Sequence, residues 1–291
     1  MKVTVFGTTG QLARSLAHTE AAGIKATFLS RDDCDLRDSE MMRSVLTSQQ
    51  PDFVINAAAY TAVDQAEQES EIAMAINATA PGIMAEWVAE HTAKLIHIST
   101  DFVFDGSSRA PYKPEDQVAP LGSYGKSKLN GEIHVLDFAP QDAMIIRTAW
   151  VYSEYGNNFV RTMLRLMQDR DELSVVHDQH GSPTYAAGLA RIIWQIINDG
   201  KFQPGIYHWS DRAEITWYEF AREIQQEALK IGLLEQAIPI TDISTDQYPT
   251  PAARPAYSVL DSSSLTDLLG SKNDDWRLNL RIALNRIAGQ I

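Results

Sequence analysis

Tyr124 and Lys128 lie four residues apart in the segment LGSYGKSKLNGE, residues 121–132. The stretch before them is rich in glycine and proline, and we predict that a helix begins near Tyr124. Because side chains at positions i and i+4 share one face of a helix, the phenol and the ammonium can act on one small site. Such a pair also arises by chance, so its meaning depends on the elements that position it.

The chemistry open to this pair is proton transfer. A free tyrosine has a pKa near ~10, which is too high for easy proton exchange at neutral pH. A close ammonium favours the phenolate, and we therefore expect Lys128 to lower the pKa of Tyr124. Lys128 can also reach the ribose hydroxyls of a nicotinamide cofactor.

A polar tripeptide, Ser99-Thr100-Asp101, ends the predicted strand 94–100. In an open α/β sheet, ligands bind outside the carboxyl ends of the strands. A hydroxyl there can donate a hydrogen bond to a substrate carbonyl oxygen, and Tyr124 follows on the same edge of the sheet. The alternative is that the tripeptide only caps a turn.

The turn GTTGQLA after the first strand has the spacing Gly7, Gly10 and Ala13. Gly7 permits a tight turn, Gly10 lets backbone approach a pyrophosphate at a helix N-terminus, and Ala13 allows close helix–sheet packing. We predict dinucleotide binding; the alternative is a glycine turn without a ligand.

The end of the second strand bears on which dinucleotide is bound. An acidic residue there binds a ribose 2′-hydroxyl, whereas an arginine accommodates a 2′-phosphate. The sequence reads LSRDDCDLRD, and Arg31 favours NADPH over NADH. In the alternative, Arg31 is a solvated charge and Asp32 or Asp33 binds the ribose.

The elements that must position these residues alternate between strand and helix. Strands are predicted at 2–6, 25–29, 52–59, 94–100 and 143–152, and helices at 11–23, 38–50 and 69–92, with Pro81 as a break or kink. This order predicts an α/β fold, a Rossmann-type doubly wound parallel sheet. The strands lack clean alternation, as expected for a sheet covered on both faces.

After residue 150 the pattern loosens. We predict helices at 157–169, 184–199, 215–232 and 276–289, short strands at 173–176, 205–209 and 237–241, and a proline-rich loop at 244–258. We therefore divide the chain into an NAD(P)-binding domain, 1–150, and a smaller, mixed α/β substrate domain, 151–291, with the chain crossing back between them.

Composition limits the function classes. The formal net charge of −13 argues against nucleic acid as a partner, since phosphate binding needs a basic footprint. Cys34 is the only cysteine, which excludes an intrachain disulfide and a cysteine-based metal cage. The sequence shows no signal-peptide pattern and no obvious membrane span, so we expect a cytoplasmic protein without a membrane partner.

Several segments together resemble the extended short-chain dehydrogenases/reductases and, within them, the dTDP-4-dehydrorhamnose reductases. Besides the glycine turn, the resemblance includes NAAAYTAVDQAE (56–67), STDFVFDG (99–106), YGKSK (124–128) and RTAWVY (147–152). It continues through GNNFVRTMLRL (156–166), DQHGSPTY (178–185) and YPTPAARPAYSVLD (248–261).

The resemblance implies NADPH-dependent reduction, with NADH as an alternative donor, of the C4 keto group of a dTDP-sugar, dTDP-4-dehydro-L-rhamnose. Tyr124 would be the proton donor, Thr100 would polarise the carbonyl, and Lys128 would tune Tyr124 and hold the ribose. The implied cofactor-binding residues are Gly7, Gly10, Gln11, Leu12, Arg31, Asp35, Leu36, Ala59, Tyr60, Thr61, Tyr124 and Lys128. The implied substrate-binding residues are Thr100, Asp101, Trp150, Asn158, Gln179 and Arg254, with Arg254 as a diphosphate partner.

The sequence departs from the family pattern in its first helix. Some members have a glutamate there that joins a magnesium site at a dimer interface, whereas this chain has Arg14 and Ser15. We therefore predict no metal, and a homodimer of that kind is in doubt. Two other functions stay open: a catalytically silent, cofactor-binding regulatory subunit, and a related sugar-nucleotide 4-keto reductase or epimerase.

Overall fold

A six-stranded parallel sheet forms the centre of the fold. The computed structural model describes residues 1–19 and 23–289. The sheet has the order β2-β1-β3-β4-β5-β10. Its strands are β1 (Lys2–Phe6), β2 (Lys25–Leu29), β3 (Phe53–Asn56), β4 (Lys94–Thr100), β5 (Ala143–Thr148) and β10 (Gly205–His208).

Helices cover both faces of this sheet, because each strand sends alternate apolar side chains to opposite sides. Leu95 and Ile145 point to one layer, whereas Ile96 and Ile146 point to the other. The first layer contains α2 (Ser39–Gln49), α4 (Ala80–Glu90) and α5 (Ser123–Phe138). The second contains α1 (Gln11–His18), α7 (Ala186–Asn198) and α9 (Ser263–Leu269). The prediction of a doubly wound Rossmann-type sheet is confirmed.

The helix predicted at 69–92 is continuous but irregular. It consists of α3 (Ser70–Met74), a π-helical turn (Ala75–Thr79) and α4. Pro81, which lacks the N–H that a helix interior uses, lies just after the widened turn and does not break the helix. Residues 70–90 form one helical segment long and apolar enough to span a membrane, and most of it is buried inside the protein.

The C-terminal half adds a second core. Helices α6 (Phe159–Asp169), α8 (Trp217–Lys230) and α10 (Trp276–Ala288) pack around it. Three two-stranded pairs border it: β6 (Val151–Tyr152) with β9 (Thr184–Tyr185), β7 (Leu173–Val176) with β12 (Ile240–Ile243), and β8 (His180–Gly181) with β11 (Ile215–Thr216). β10 leaves this half and pairs with β5 of the large sheet.

Some predicted boundaries were wrong. The strand predicted at 143–152 divides into β5 and β6, since Trp150 has a positive φ of 47° and the chain then enters a different sheet. α1 ends at His18, and residues 20–22 of the helix predicted at 11–23 lie outside the described residues. Within the predicted loop 244–258, residues Thr245–Gln247 form a 3-10 turn.

Candidate active site

A cavity of about 720 Å³ lies at the carboxyl ends of β1, β3 and β4. The strand order reverses beside β1, whose neighbours are β2 and β3, and such a switch point is where open α/β sheets bind ligands. The predicted cofactor and catalytic residues at its wall are Gly7, Gly10, Gln11, Leu12, Arg31, Asp35, Leu36, Ala59, Thr61, Thr100, Tyr124 and Lys128. Two predicted substrate-binding residues, Asp101 and Trp150, line it as well.

The glycine turn has a shape that suits an anion. Gly7 has a φ of 121°, a backbone conformation that residues other than glycine rarely adopt. It also packs closely against Ala13 and Ala57. Gly10 is the N-cap of α1, has open space where a Cβ would stand, and supplies no side chain to cap the helix. The N–H groups of the first turn of α1 therefore face the cavity ready for a pyrophosphate.

Gln11 directs its side chain toward the C-terminal half. Its Nε2 donates to the Val151 carbonyl at 3.2 Å, and its Oε1 accepts from Ser153 Oγ and Asn158 Nδ2, each at 2.9 Å. Asn158 also caps α6 by accepting from the Arg161 N–H. The structure thus places Asn158 as a link between the glycine turn and α6, away from the cavity wall.

Charged residues gather at the end of β2. Arg31 is 72% exposed at the rim of the cavity, 3.7 Å from Asp35. The Arg37 guanidinium, hydrogen-bonded to Asp35, holds the pKa of that carboxyl well below its usual range. Asp33 accepts from both the N–H and the hydroxyl of Ser30, at 2.9 and 2.6 Å. Arg31 and Asp35 line the cavity, whereas Asp32 and Asp33 do not.

The segment after β3 contributes through its backbone as well as its side chains. Tyr60 is clamped by Asn77, which accepts from the Tyr60 N–H at 2.9 Å and donates to the Tyr60 carbonyl at 3.0 Å. The Tyr60 hydroxyl donates to Glu69 at 2.8 Å, and its side chain is not part of the cavity wall. Ala59 and Thr61, which flank Tyr60, do line the cavity.

Thr100, Tyr124 and Lys128 come together at the cavity wall. Thr100 and Lys128 are buried, with 6% and 2% of their surface exposed. The Thr100 hydroxyl donates to Asp101 Oδ1 at 3.0 Å, and the Lys128 ammonium donates to the Ile98 carbonyl at 2.6 Å. The Tyr124 ring packs edge-on against Phe102, with 5.5 Å between ring centroids.

The environment of Tyr124 keeps its phenol neutral. Burial raises the pKa of Tyr124 to about 12, and the Thr100 hydroxyl only partly opposes this. Burial lowers the pKa of Lys128 to about 8, and the carboxylate of Glu132 opposes that shift. The expectation that Lys128 lowers the pKa of Tyr124 was wrong for this arrangement, because desolvation dominates and the ammonium is held by the Ile98 carbonyl.

Other polar atoms at the carboxyl end of β4 lack partners. Ser99 Oγ and Asp101 Oδ2 are buried without a hydrogen bond from any described residue, and both residues line the cavity. Burial raises the pKa of Asp101 to about 6. Buried polar groups are normally paired, so these atoms are suited to contact a bound ligand or water.

A second cavity of about 870 Å³ adjoins the first, and Phe102 and Trp150 line both. The Trp150 ring stacks on Trp217 with 3.5 Å between centroids and presses against Gly181, where a Cβ would approach Trp150 Cε2 to 2.5 Å. Gln179 and Arg254 also line this cavity. Gln179 donates to Thr245 Oγ1 at 3.1 Å.

Arg254 forms a two-point ion pair with Asp64. Its Nη1 and Nη2 atoms donate to the two carboxylate oxygens at 3.0 and 2.8 Å, and Arg254 holds the pKa of Asp64 below its usual range. Asp64 lies in the loop after β3, 190 positions away in the chain. Sequence reasoning missed Asp64 and also the wall residues Trp217 and Phe159, because no local pattern links α6 and α8 to the cavity.

Among residues 1–19 and 23–289, no group of three or more His, Cys, Asp or Glu residues could hold a metal ion. Arg14, on α1, lies 4.0 Å above the Tyr155 ring.

A parallel doubly wound sheet, a glycine turn at its switch point, and Thr100, Tyr124 and Lys128 beside the same cavity define an extended short-chain dehydrogenase/reductase. The model of one family, the RmlD substrate binding domain, matches residues 1–288. A dTDP-4-dehydrorhamnose reductase of Aggregatibacter actinomycetemcomitans is 40% identical over 96% of this chain and 97% of that protein.

Solved structures agree. A dTDP-4-dehydrorhamnose reductase from Clostridium acetobutylicum has a TM-score of 0.92 at 34% identity, covering 99% of this chain and 100% of that chain. One from Bacillus anthracis, in complex with NADP, has a TM-score of 0.90 at 34% identity, covering 98% and 99%. The chain belongs to the RmlD substrate binding domain family, and the predicted resemblance is confirmed.

Proposed function

We propose that this protein reduces the C4 keto group of dTDP-4-dehydro-L-rhamnose to give dTDP-L-rhamnose, with NADPH as the hydride donor. One observation carries the proposal: Thr100 and Tyr124 lie where the glycine-turn cavity meets the second cavity, since Phe102 and Trp150 wall both. A sugar in the second cavity and a nicotinamide in the first would meet at these side chains. The family's dTDP-4-dehydrorhamnose reductases supply the substrate class.

The residues of the first cavity fit a dinucleotide. The uncapped N–H groups of α1 and the open space at Gly10 suit a pyrophosphate, and the exposed guanidinium of Arg31 suits a 2′-phosphate. Ser99 Oγ has no hydrogen-bond partner among the described residues, and Ser99 lines the cavity, so this oxygen is suited to a further polar contact. When bound, the nicotinamide supplies the hydride that C4 accepts.

Side chains of the protein act on the C4 oxygen of the substrate. The Thr100 hydroxyl donates a hydrogen bond to the C4 oxygen and polarises the carbonyl. As negative charge develops on that oxygen, the neutral Tyr124 phenol transfers its proton to it and gives the hydroxyl of the product. The Lys128 ammonium, at the wall of the same cavity, would hold the nicotinamide ribose, and water then returns a proton to Tyr124.

The substrate half would hold the nucleotide sugar. Trp150 and Gln179 line the second cavity, and Arg254 offers a guanidinium for the diphosphate. We infer that binding there competes with the Arg254–Asp64 ion pair. Asp101, whose Oδ2 is buried without a partner at the wall of the first cavity, would contact the sugar from that side.

The direct test follows NADPH absorbance with purified protein and the 4-keto sugar, generated in situ from dTDP-glucose by the upstream dehydratase and epimerase. The proposal predicts NADPH loss equal to dTDP-L-rhamnose formed, and no loss without this protein. NADPH that binds but is not consumed would contradict the proposal and favour a regulatory subunit. Interconversion of sugars without net consumption would instead identify an epimerase.

A further inference from the structure

The hydroxyl of Thr100 already has a hydrogen-bond acceptor within the protein. It donates to Asp101 Oδ1 at 3.0 Å, and its oxygen accepts from the Phe102 N–H at 3.2 Å. A hydroxyl has only one hydrogen to donate. While that hydrogen lies on the Asp101 carboxylate, Thr100 has none to offer the C4 oxygen of a substrate. Polarisation of the carbonyl by Thr100 therefore depends on the state of Asp101.

Asp101 is buried, and cations of the site are bound elsewhere. Asp101 is 2% exposed, and its Oδ2 atom receives no hydrogen bond from any described residue. Lys128 donates to the Ile98 carbonyl at 2.6 Å, and Arg254 pairs with Asp64. A carboxyl group in such surroundings holds a proton more readily than one in water, because burial disfavours its charged form.

The ionisation of Asp101 is linked to that of Tyr124. Burial raises the pKa of Asp101 to about 6, and the hydroxyls of Ser258 and Thr100 only partly oppose this shift. The charge of an ionised Asp101 in turn raises the pKa of Tyr124. The phenolate that Tyr124 becomes on giving up its proton is therefore disfavoured by the Asp101 carboxylate and is spared that cost when Asp101 is neutral.

Other titratable groups of β4 and α5 respond to different charges. His97 on β4 is fully buried, and burial and Lys128 lower its pKa, so it is neutral. Lys128 on α5 is influenced by the carboxylate of Glu132, which opposes the effect of burial on its pKa. We therefore expect Asp101 to titrate separately from Lys128.

A proton on Asp101 would reverse its hydrogen bond with Thr100. The acid O–H would donate to the Thr100 oxygen, and the Thr100 hydrogen would be free to point into the first cavity, which both residues line. The second oxygen of Asp101 would still accept a hydrogen bond. Negative charge developing on the C4 oxygen would then face a hydroxyl donor backed by a neutral acid instead of a carboxylate.

We propose that Asp101, in its neutral acid form, is a positioning residue that turns the Thr100 hydroxyl toward the C4 oxygen. It acts on the carbonyl only through Thr100, and the transferred proton still comes from Tyr124. The inference rests on the proposed reduction. One of its two tests needs no turnover, so its failure can be told apart from failure of that function.

The first test is infrared spectroscopy of the free protein over a pH series. The C=O stretch of a protonated carboxyl group should be present near pH 5 and lost with a midpoint near pH 6. Asp101→Asn should lack this titrating band. Asp211→Asn should keep it, because Asp211 is a different buried carboxyl group with a raised pKa.

The second test is the pH profile of kcat/KM for the 4-keto sugar at saturating NADPH. In the wild type this value should fall at least about fivefold between pH 5 and pH 7.5, since one donor to a developing oxyanion is typically worth more than that. In Asp101→Asn the amide Nδ2 can donate to Thr100 at every pH, so the decline should disappear. Asp101→Ala offers no donor and should be slower than Asp101→Asn throughout.

Asp211→Asn is the matched control in the kinetic test as well. Asp211 is 2% exposed and lines neither cavity, so its variant should keep the slope of the wild type. A decline in Asp101→Asn as steep as in the wild type would overturn the proposal. So would equal activity of Asp101→Asn and Asp101→Ala, because the amide donor would then not replace the acid.

The infrared result separates this proposal from the proposed function. An active reductase without a protonated Asp101 near pH 5 would overturn the role of Asp101 alone. A protein that shows the Asp101 band but reduces no sugar would contradict the proposed function and, with it, the role of Asp101 in turning Thr100 toward C4.

Discussion

At the residue scale, burial keeps the Tyr124 phenol protonated at neutral pH, so it has a proton to deliver. Its pKa is raised to about 12 by burial, so the phenol keeps its proton through the neutral range until charge develops on a substrate oxygen. Lys128, whose pKa is lowered to about 8, still carries most of its charge at neutral pH. At neutral pH the pair is therefore a neutral phenol beside a mostly charged ammonium, the protonation states in which Tyr124 can deliver a proton.

Replacing Tyr124 with Phe should lower kcat roughly 100- to 10,000-fold, the usual contribution of a general acid. The ring contact with Phe102 survives, so NADPH affinity and the melting temperature should stay nearly unchanged. Steady-state kinetics and a fluorescence titration with NADPH measure the two effects. Tyr218→Phe on α8, outside both cavities, is the control. Unimpaired turnover in Tyr124→Phe would remove Tyr124 from the mechanism.

Asp211 should make the stability of the folded protein depend on pH. It is 2% exposed, accepts from the Tyr185 N–H at 3.2 Å, and burial raises its pKa to about 7 from 3.8. The folded protein therefore binds more protons than the unfolded chain between about pH 4 and 7, and this group makes stability fall as pH rises through that window.

Asp211→Asn should remove that dependence, because the amide oxygen can still accept from Tyr185 and carries no charge. The variant should match the wild type near pH 4 and melt at higher temperature near pH 8. Thermal melts across this range measure the difference, with Asp171→Asn at the exposed surface as control. If the melting temperatures of Asp211→Asn and the wild type changed with pH in parallel, ionisation of the Asp211 carboxylate would not be what lowers stability.

At the element scale, α5 is the part of the fold that places the chemistry. It packs at backbone distance against the helix of residues 70–90, and this requires Gly131, where a Cβ would lie 2.1 Å from the Asn77 carbonyl oxygen. Asn77 also donates to Ser127 on α5 at 2.9 Å and clamps Tyr60. A shift of α5 would therefore disturb both the catalytic residues and the segment after β3.

Gly131→Ala should lower the free energy of unfolding by about 1–3 kcal/mol, the usual cost of overpacking a tight contact. It should also lower kcat, since Tyr124 and Lys128 move with the helix. Urea unfolding and steady-state kinetics test both effects. Gly188→Ala on α7 is a suitable control, because its Cβ would have no neighbour closer than 3.7 Å. Wild-type stability in Gly131→Ala would disprove the tight packing.

Many of the helices and strands around the site could be predicted from the sequence. The first four strands and the helices between them follow from apolar runs, and the glycine turn and the Tyr124–Lys128 spacing are local patterns. The end of β5 could not be predicted, because AMIIRTAWVY is one apolar run and the break at Trp150 depends on its contacts with Trp217 and Gly181. The pairing of β10 with β5 likewise has no local signal.

At the scale of the whole molecule, the two halves meet around the site through contacts distant in sequence. Gln11 binds Ser153 and Asn158, and Asp64 binds Arg254. Such pairs cannot be read from the spacing within one segment, which explains why Asn158 was predicted as a substrate contact and is placed as a link to Gln11. The division of domains at residue 150 stays a prediction.

Arg254→Ala should raise KM for the nucleotide sugar at least about tenfold, since a hydrogen-bonded charge on the diphosphate is lost, with little change in kcat or NADPH affinity. Asp64→Asn distinguishes a role of Arg254 in substrate binding from a role in structure. It removes the same ion pair but leaves the Arg254 guanidinium in place. It should not raise KM. Equal increases in both variants would assign Arg254 a structural role, and Arg277→Ala on α10 serves as control.

The central claim is that hydride passes directly to C4 of a dTDP-4-keto sugar at the junction of the two cavities. It is tested most directly with NADPH deuterated at the transferred position of its nicotinamide, followed by NMR of the sugar product. The account predicts deuterium at C4 of dTDP-L-rhamnose, in an amount equal to the NADPH oxidised. Product without deuterium at C4, or oxidation of NADPH without labelled sugar, would contradict it.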